Sequence, residues 1–122
     1  MGNGKVLMLI ESACPPQLDE AWGKWVCEKH MPEICSHEAV KKAIRYQKKT
    51  PESVAALLKG RPLDTDAAYL TIYEFENWEG VNAYMTSKLR QEVAEDFNKN
   101  WMPKGARILG MKFYEPTIAF EK

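Results

Sequence analysis

The sequence is short of several things, and each shortage closes off a class of protein. It has no surplus of charge: 17 lysines and arginines face 17 aspartates and glutamates, interspersed, with no basic tract and no acidic tail. Without a strong field of one sign, little draws the chain to nucleic acid or to an anionic membrane surface. Long apolar runs are missing too. The longest aliphatic stretch, "VLMLI" at residues 6 to 10, falls far below the roughly 20 residues of a membrane-spanning helix, and it lacks the basic front end and small-residue cleavage site of a secretory signal. Three cysteines, Cys14, Cys27 and Cys35, are too few and too irregularly spaced for a disulfide framework, so a reduced, cytoplasmic protein is expected. There is no internal repeat, low-complexity stretch or linker. Residues 1–122 are therefore read as one domain, long enough to bury a core without disulfide or metal support.

Several chemical signatures are missing as well. No glycine-rich loop suits a phosphate, no dinucleotide fingerprint occurs, and no serine sits in a nucleophile elbow. No cofactor is called for.

What is present is a regular order of elements. "KVLMLIES" (residues 5 to 12) reads as a strand buried on both faces, because its core does not alternate. From Gln17, Leu18, Trp22, Trp25, Val26 and His30 recur at helical spacing, and Met31-Pro32 is expected to end that helix, since the residue before a proline is pushed out of helical geometry. Residues 39 to 49 alternate, placing Val40, Ile44 and Tyr46 on one strand face and Lys41, Ala43 and Arg45 on the other. Thr50 as cap, Pro51 at the first helical position and Gly60 as stop frame a short helix, and residues 61 to 66 read as loop.

The clearest strand is residues 67 to 76, with Tyr69, Thr71, Tyr73 and Phe75 on one side and Leu70, Ile72 and Glu74 on the other. Asn77 can cap the next helix, with Glu79 near its positive end. Val81, Met85, Leu89, Val93 and Phe97, with Tyr84 beside them, predict one long amphipathic helix. Residues 107 to 120 form a final strand, with Gly110 suggesting a bulge and Pro116 an edge or an end.

The order β-α-β-(short α)-β-α-β suits an antiparallel four-stranded sheet with two main helices on one face, a ferredoxin-like α+β sandwich. The first and third strands carry large apolar residues on both faces, so the bare face needs a cover. In so small a chain a second copy supplies it most simply, giving a homodimer.

His30 is the outstanding candidate. It continues the stripe of Trp22, Trp25 and Val26 toward the sheet. Desolvation beside indole rings lowers its pKa, while the negative end of a helix raises it. An imidazole held near neutrality suits a general base, but the same position also suits a core or capping histidine bonded to a carbonyl. Glu33 could orient it or shuttle a proton, or stand solvated. Tyr46, with Tyr69 and Tyr73 on the neighbouring strand, could donate a hydrogen bond to a developing oxyanion, or be an aromatic whose hydroxyl reaches the rim. Arg45, on the opposite strand face from Tyr46, suits an ion pair or the dimer interface, though it could hold a substrate carboxylate. Trp22, Trp25, Tyr69, Phe75, Tyr84, Phe97 and Trp101 are ordinary core in most folds, yet four tryptophans in a short chain point to a pocket for a flat apolar ligand. Cys27, His30, Cys35 and His37 offer soft metal ligands within eleven residues, but at a spacing that matches no common zinc pattern. No metal is assigned.

Trp22-x2-Trp25-x4-His30-x-Pro32-Glu33, then Arg45-Tyr46, then "YLTIYEFE" together resemble the dimeric α/β-barrel superfamily, and within it the EthD-like small proteins. The resemblance spans nearly the whole chain. One difference is local: similar proteins have a proline-glycine turn before the second strand, where this chain has "CSHEAV", adding His37. The resemblance implies a pocket between sheet and helices, on an architecture that hosts isomerases, polyketide cyclases, cofactor-free monooxygenases and haem-binding enzymes.

Three functions are carried forward. The first is a cofactor-independent isomerase, cyclase or lyase on a small apolar aromatic or polyketide-like carbonyl compound, with His30 as base and Tyr46 or Tyr73 as oxyanion donor. The second is a non-catalytic small-molecule-binding or stress-associated protein of the same fold, and the third a cofactor-free monooxygenase.

Overall fold

The computed structural model describes residues 5–49, 51–58 and 67–122. The expected cap at Thr50, stop at Gly60 and loop at 61–66 lie outside them. Strand β1 (Val6–Ala13) leads through a 3-10 turn into α1 (Asp19–Trp25), a π-helical turn (Val26–His30) and α2 (Met31–Cys35). Then follow β2 (Val40–Gln47), the short α3 (Glu52–Ala55), β3 (Tyr69–Phe75), α4 (Trp78–Met85), α5 (Lys88–Asn100) and β4 (Arg107–Tyr114). The described strands form one antiparallel sheet in the order β2-β3-β1-β4. This is the ferredoxin-like arrangement expected from the element order, with β4 and β2 at the edges.

Three local expectations are corrected. Met31-Pro32 does not end the first helix. The Met31 N–H instead reaches back five residues to the Val26 carbonyl, and this widened turn lets the chain pass a proline, which lacks an N–H of its own, and continue to Cys35. His30 is thus inside the helix, not at its negative end. The long helix after Asn77 is two helices: the Asn77 side chain accepts from the Gly80 N–H as expected, but Ser87 starts a second helix by accepting from the Arg90 N–H at 3.1 Å. Pro51 is the cap of the short helix and not its first residue, so the helix starts one residue later than expected.

The fourth correction changes the site. β2 carries a bulge, because Val40 pairs with Phe75 but Lys42 with Glu74. The extra residue reverses the alternation. Val40, Ala43 and Arg45 therefore lie on the helix-covered face opposite Phe75, Tyr73 and Thr71, while Ile44 and Tyr46 face away opposite Ile72 and Leu70. A second bulge, between β1 and β4, pairs Glu11 with Gly110 but Ser12 with Ile108. This is the irregularity expected at Gly110, and it brings Ile108 and Met111 onto the same helix-covered face.

Beneath the helices the core divides in two. One cluster is tightly packed around Val6, Met8, Ile34, Val40, Phe75, Val81 and Val93, with Tyr73 and Tyr84 among them. The other is aromatic: Trp22, Val26, Tyr69 and Phe97, with Ala106. Gly105, with φ of 111°, turns the chain from α5 into β4 where a side chain would strike Pro15.

Candidate active site

The aromatic end of the helix–sheet interface is hollow. A cavity of about 40 Å³ lies under α1 and the π turn, lined by Trp22, Trp25 and His30 from the helix and by Ser12, Arg45, Thr71 and Tyr73 from the sheet. A larger cleft of about 250 Å³ opens between α5 and the edge strand, with Tyr84, Arg90, Asn98 and Met111 among its walls. The two share Ile10, His30, Phe97 and Ile108. His30 thus stands where the small inner chamber and the larger outer cleft meet.

The inner chamber is chemically unfinished. Among the described residues, the buried side-chain nitrogens without a hydrogen-bond partner are Trp22 Nε1, His30 Nδ1 and Arg45 Nη2, and all three side chains line this cavity. Buried polar atoms are nearly always paired, and each unpaired one costs about 1–3 kcal/mol. Three around one cavity mark a place where something else supplies the partner. Among the described residues no carboxylate pairs with Arg45. Its guanidinium lies 3.8 Å from the centre of the Tyr69 ring and 5.6 Å from that of Trp22, so aromatic faces hold the cation. Tyr69 is anchored in turn by donating its hydroxyl proton to Asp19, which also accepts from the Cys14 thiol.

His30 stacks on Trp25 at 4.5 Å between ring centres. Burial pushes its pKa down to about 4; the Asp96 carboxylate on α5 opposes this and Lys29 adds to it. Desolvation wins, so the imidazole is neutral at pH 7. The opposing influence expected from a helix terminus is replaced by that of Asp96, which is paired with Lys29 at 2.9 Å. Asp96 carries no periodic signal and is brought to His30 only by the packing of α5.

The other sequence-picked residues separate by position. Trp22, Trp25, Arg45 and Tyr73 line the inner chamber, Tyr84 the outer, and Phe97 both. Tyr69 lies behind Arg45 as its aromatic support. Burial pushes the Tyr73 hydroxyl well above the ordinary phenol range, so it is a donor and not an anion. Three placements are corrected. Tyr46, offered as an oxyanion donor, is 48% exposed on the opposite face of the sheet, because of the bulge in β2. Phe75 is fully buried in the packed cluster and lines neither chamber. Glu33 lines neither chamber, and the carboxylate whose charge acts on His30 is Asp96. Sequence reading missed Ser12, Thr71, Asp96, Ile108 and Met111; the last two depend on a bulge.

His37 serves the local turn, its Nδ1 accepting from the Ala39 N–H while its ring meets Tyr84 edge-on. Cys27 and Cys35 are exposed, and among the described residues no three His, Cys, Asp or Glu side chains converge as a metal cluster. No described helix is long and apolar enough to cross a membrane.

No family model matches the chain, and no curated protein matches it in sequence. Solved structures do match in shape. A hydroxynitrile lyase from Passiflora edulis superposes with a TM-score of 0.69 at 12% identity, covering 98% of this chain and 99% of the lyase. HapK from Hahella chejuensis gives 0.66 at 8% identity over 96% and 97% of the two chains. An ethyl tert-butyl ether D (EthD) family protein from Bacillus halodurans C-125 gives 0.65 at 10% identity over 93% and 99%. At such identities the likeness is one of fold, and with the sheet order it shows that the chain has the ferredoxin-like fold expected from the sequence.

Proposed function

We propose that the protein is a cofactor-independent enzyme acting on a small apolar, aromatic or polyketide-like carbonyl compound by proton transfer at the carbon next to the carbonyl. The observation that carries this reading is the inner chamber, where a neutral imidazole and two unpaired donors line one cavity. His30 would take the proton as the C–H bond breaks. The electron pair would move onto the carbonyl oxygen, which Arg45, the Trp22 N–H and Tyr73, all lining the chamber, would stabilise by donating hydrogen bonds. The imidazolium so formed would lie in the field of Asp96. The enolate would then be protonated at another carbon, close a ring or expel a leaving group, giving the isomerase, cyclase or lyase outcome. A hydroxynitrile lyase on the same fold supports enzymatic use of this architecture.

The test is proton exchange, which needs no knowledge of the final product. In D2O, aryl ketones and 1-phenylbutane-1,3-dione incubated with the protein gain deuterium at the carbon next to the carbonyl faster than in buffer. His30→Gln abolishes the acceleration. Bound ketones that exchange no faster than in buffer would sink the catalytic reading and leave a binding protein, a role that the depressed His30 pKa also suits. Oxygen consumption with an electron-rich phenol would mark the monooxygenase alternative instead.

A second copy is proposed to cover the free sheet face, where Ile44 and Tyr46 on β2 and Tyr114 on β4 are 37%, 48% and 50% exposed. Sedimentation should then show a dimer, and Ile44→Lys a monomer. A monomeric wild-type chain would remove the dimer from the reading.

A further inference from the structure

The shape and charge of the paired chambers say more about the ligand than that it is small and apolar. The inner chamber, at about 40 Å³, is well under the roughly 150 Å³ of a cavity that takes benzene. The outer cleft, at about 250 Å³, exceeds that size. A ring fits outside and only a few polar atoms fit inside. The inner polar groups also favour one type of atom. Arg45 and the Trp22 indole can only donate hydrogen bonds, and both present a buried nitrogen without a partner. Arg45 is permanently charged and, among the described residues, faces aromatic rings and no carboxylate. Arg45 is partly buried, with Nη2 shielded from solvent and unpaired, and leaving such a charged donor unpaired is costly; Trp22 beside it is only 3% exposed.

We propose that the ligand is an anion with a compact, delocalised oxygen head, a carboxylate or the enolate of a 1,3-dicarbonyl. The head is seated against Arg45 and Trp22 in the inner chamber, the apolar body lies in the outer cleft, and the carbon joining them stands opposite His30. The position of His30, lining both chambers, selects that joining carbon, and this last clause rests on the proton-transfer reading above. The selection of an anionic head does not. In the outer cleft, Ile108 and Met111 are 44% and 40% exposed, an apolar floor that a ring would cover. The two bulges set this arrangement: one turns Arg45 inward, the other brings Ile108 beneath the cleft.

The experiment compares matched probes by titration calorimetry at pH 7: phenylacetate against phenylacetamide, and 1-phenylbutane-1,3-dione against 4-phenylbutan-2-one. Wild-type protein is expected to bind at least one acidic member ten times more tightly than its neutral partner. If both acids are preferred, any oxygen anion serves; a preference confined to one pair names the head as carboxylate or as enolate. Arg45→Gln removes the preference while leaving the neutral probes within threefold. Arg45→Lys, which keeps the charge but loses the planar fork, restores part of it, and circular dichroism confirms that both variants are folded. Trp22→Phe weakens the acids severalfold with less effect on the neutral probes. The proposal is overturned if no acid binds, if acids and neutral partners bind alike, or if the preference survives in Arg45→Gln. Acid preference without proton exchange in the bound dione would leave the anion site standing and remove the catalysis. Exchange on neutral ketones without acid preference would do the reverse.

Discussion

The two ends of the helix–sheet interface are both built from apolar side chains and do different things with them. At one end Val6, Met8, Val40, Phe75 and Val81 interlock, and Phe75 is fully buried. At the other, Trp22, Tyr69 and Phe97 are also buried, yet planar rings and a partly buried guanidinium leave space between them. Branched aliphatic side chains fill a volume in several orientations, whereas large flat ones set at an angle, as Trp22 and Tyr69 are at 75°, leave gaps at their edges. The closed end holds the molecule together. The open end, along the same strands, holds unpaired polar groups in place because the closed end fixes the strands beneath them.

Substitution can break this contrast. Phe75→Ala is expected to cost about 3–5 kcal/mol of stability in urea unfolding; a loss below about 1 kcal/mol would show that the packed end is not where stability resides. His30→Gln is expected to behave oppositely, lowering proton exchange on a bound ketone by about 10²–10⁴-fold while shifting the unfolding free energy at pH 7 by no more than about 1 kcal/mol. Equal damage to both quantities would make His30 a core residue.

Acid sharpens the same difference. The folded-state pKa of His30, about 4, lies below its ordinary value near 6.5. Between those values the unfolded chain binds the proton and the folded chain does not, so the contribution of His30 to stability is complete above about pH 6.5 and falls as pH drops toward 4. The loss is expected to total about 2–3 kcal/mol. Unfolding curves from pH 7 to 4 should show that slope in the wild type and a flatter one in His30→Gln. Parallel slopes would place the acid sensitivity elsewhere. The smallest effect separates two tyrosines. Tyr73→Phe should lower turnover about tenfold by removing one donor from the inner chamber, and Tyr46→Phe should leave it within twofold; a larger effect of Tyr46→Phe would mean that the far face of the sheet contributes to the site.

Alternation made β3 legible because it pairs regularly on both sides, and its Tyr69–Thr71–Tyr73–Phe75 face is the buried one. The helical stripe that carries Trp22 and His30 was equally legible, since burial along one side of a helix writes itself into the spacing of apolar residues. Arg45 and Tyr46 were assigned to the wrong faces for a specific reason. A bulge depends on how a strand pairs with its neighbour, and β2 carries no glycine or proline to announce one. Proline at residue 32 was read as a stop because local sterics favour one, whereas a widened turn, held by packing on both sides, absorbs it.

By itself the sequence determined the order of elements, the ferredoxin-like class and the inward-facing histidine, all of which follow from the periodicity of burial in a chain of this length. The tertiary structure decided which neighbours that histidine has. Arg45, Tyr73 and Ile108 come from three different strands and Phe97 from a distant helix, and strand register, two bulges and the packing of α5 bring them to one hollow. Such placement depends on pairing between segments far apart in the chain, and no local pattern of residues records it.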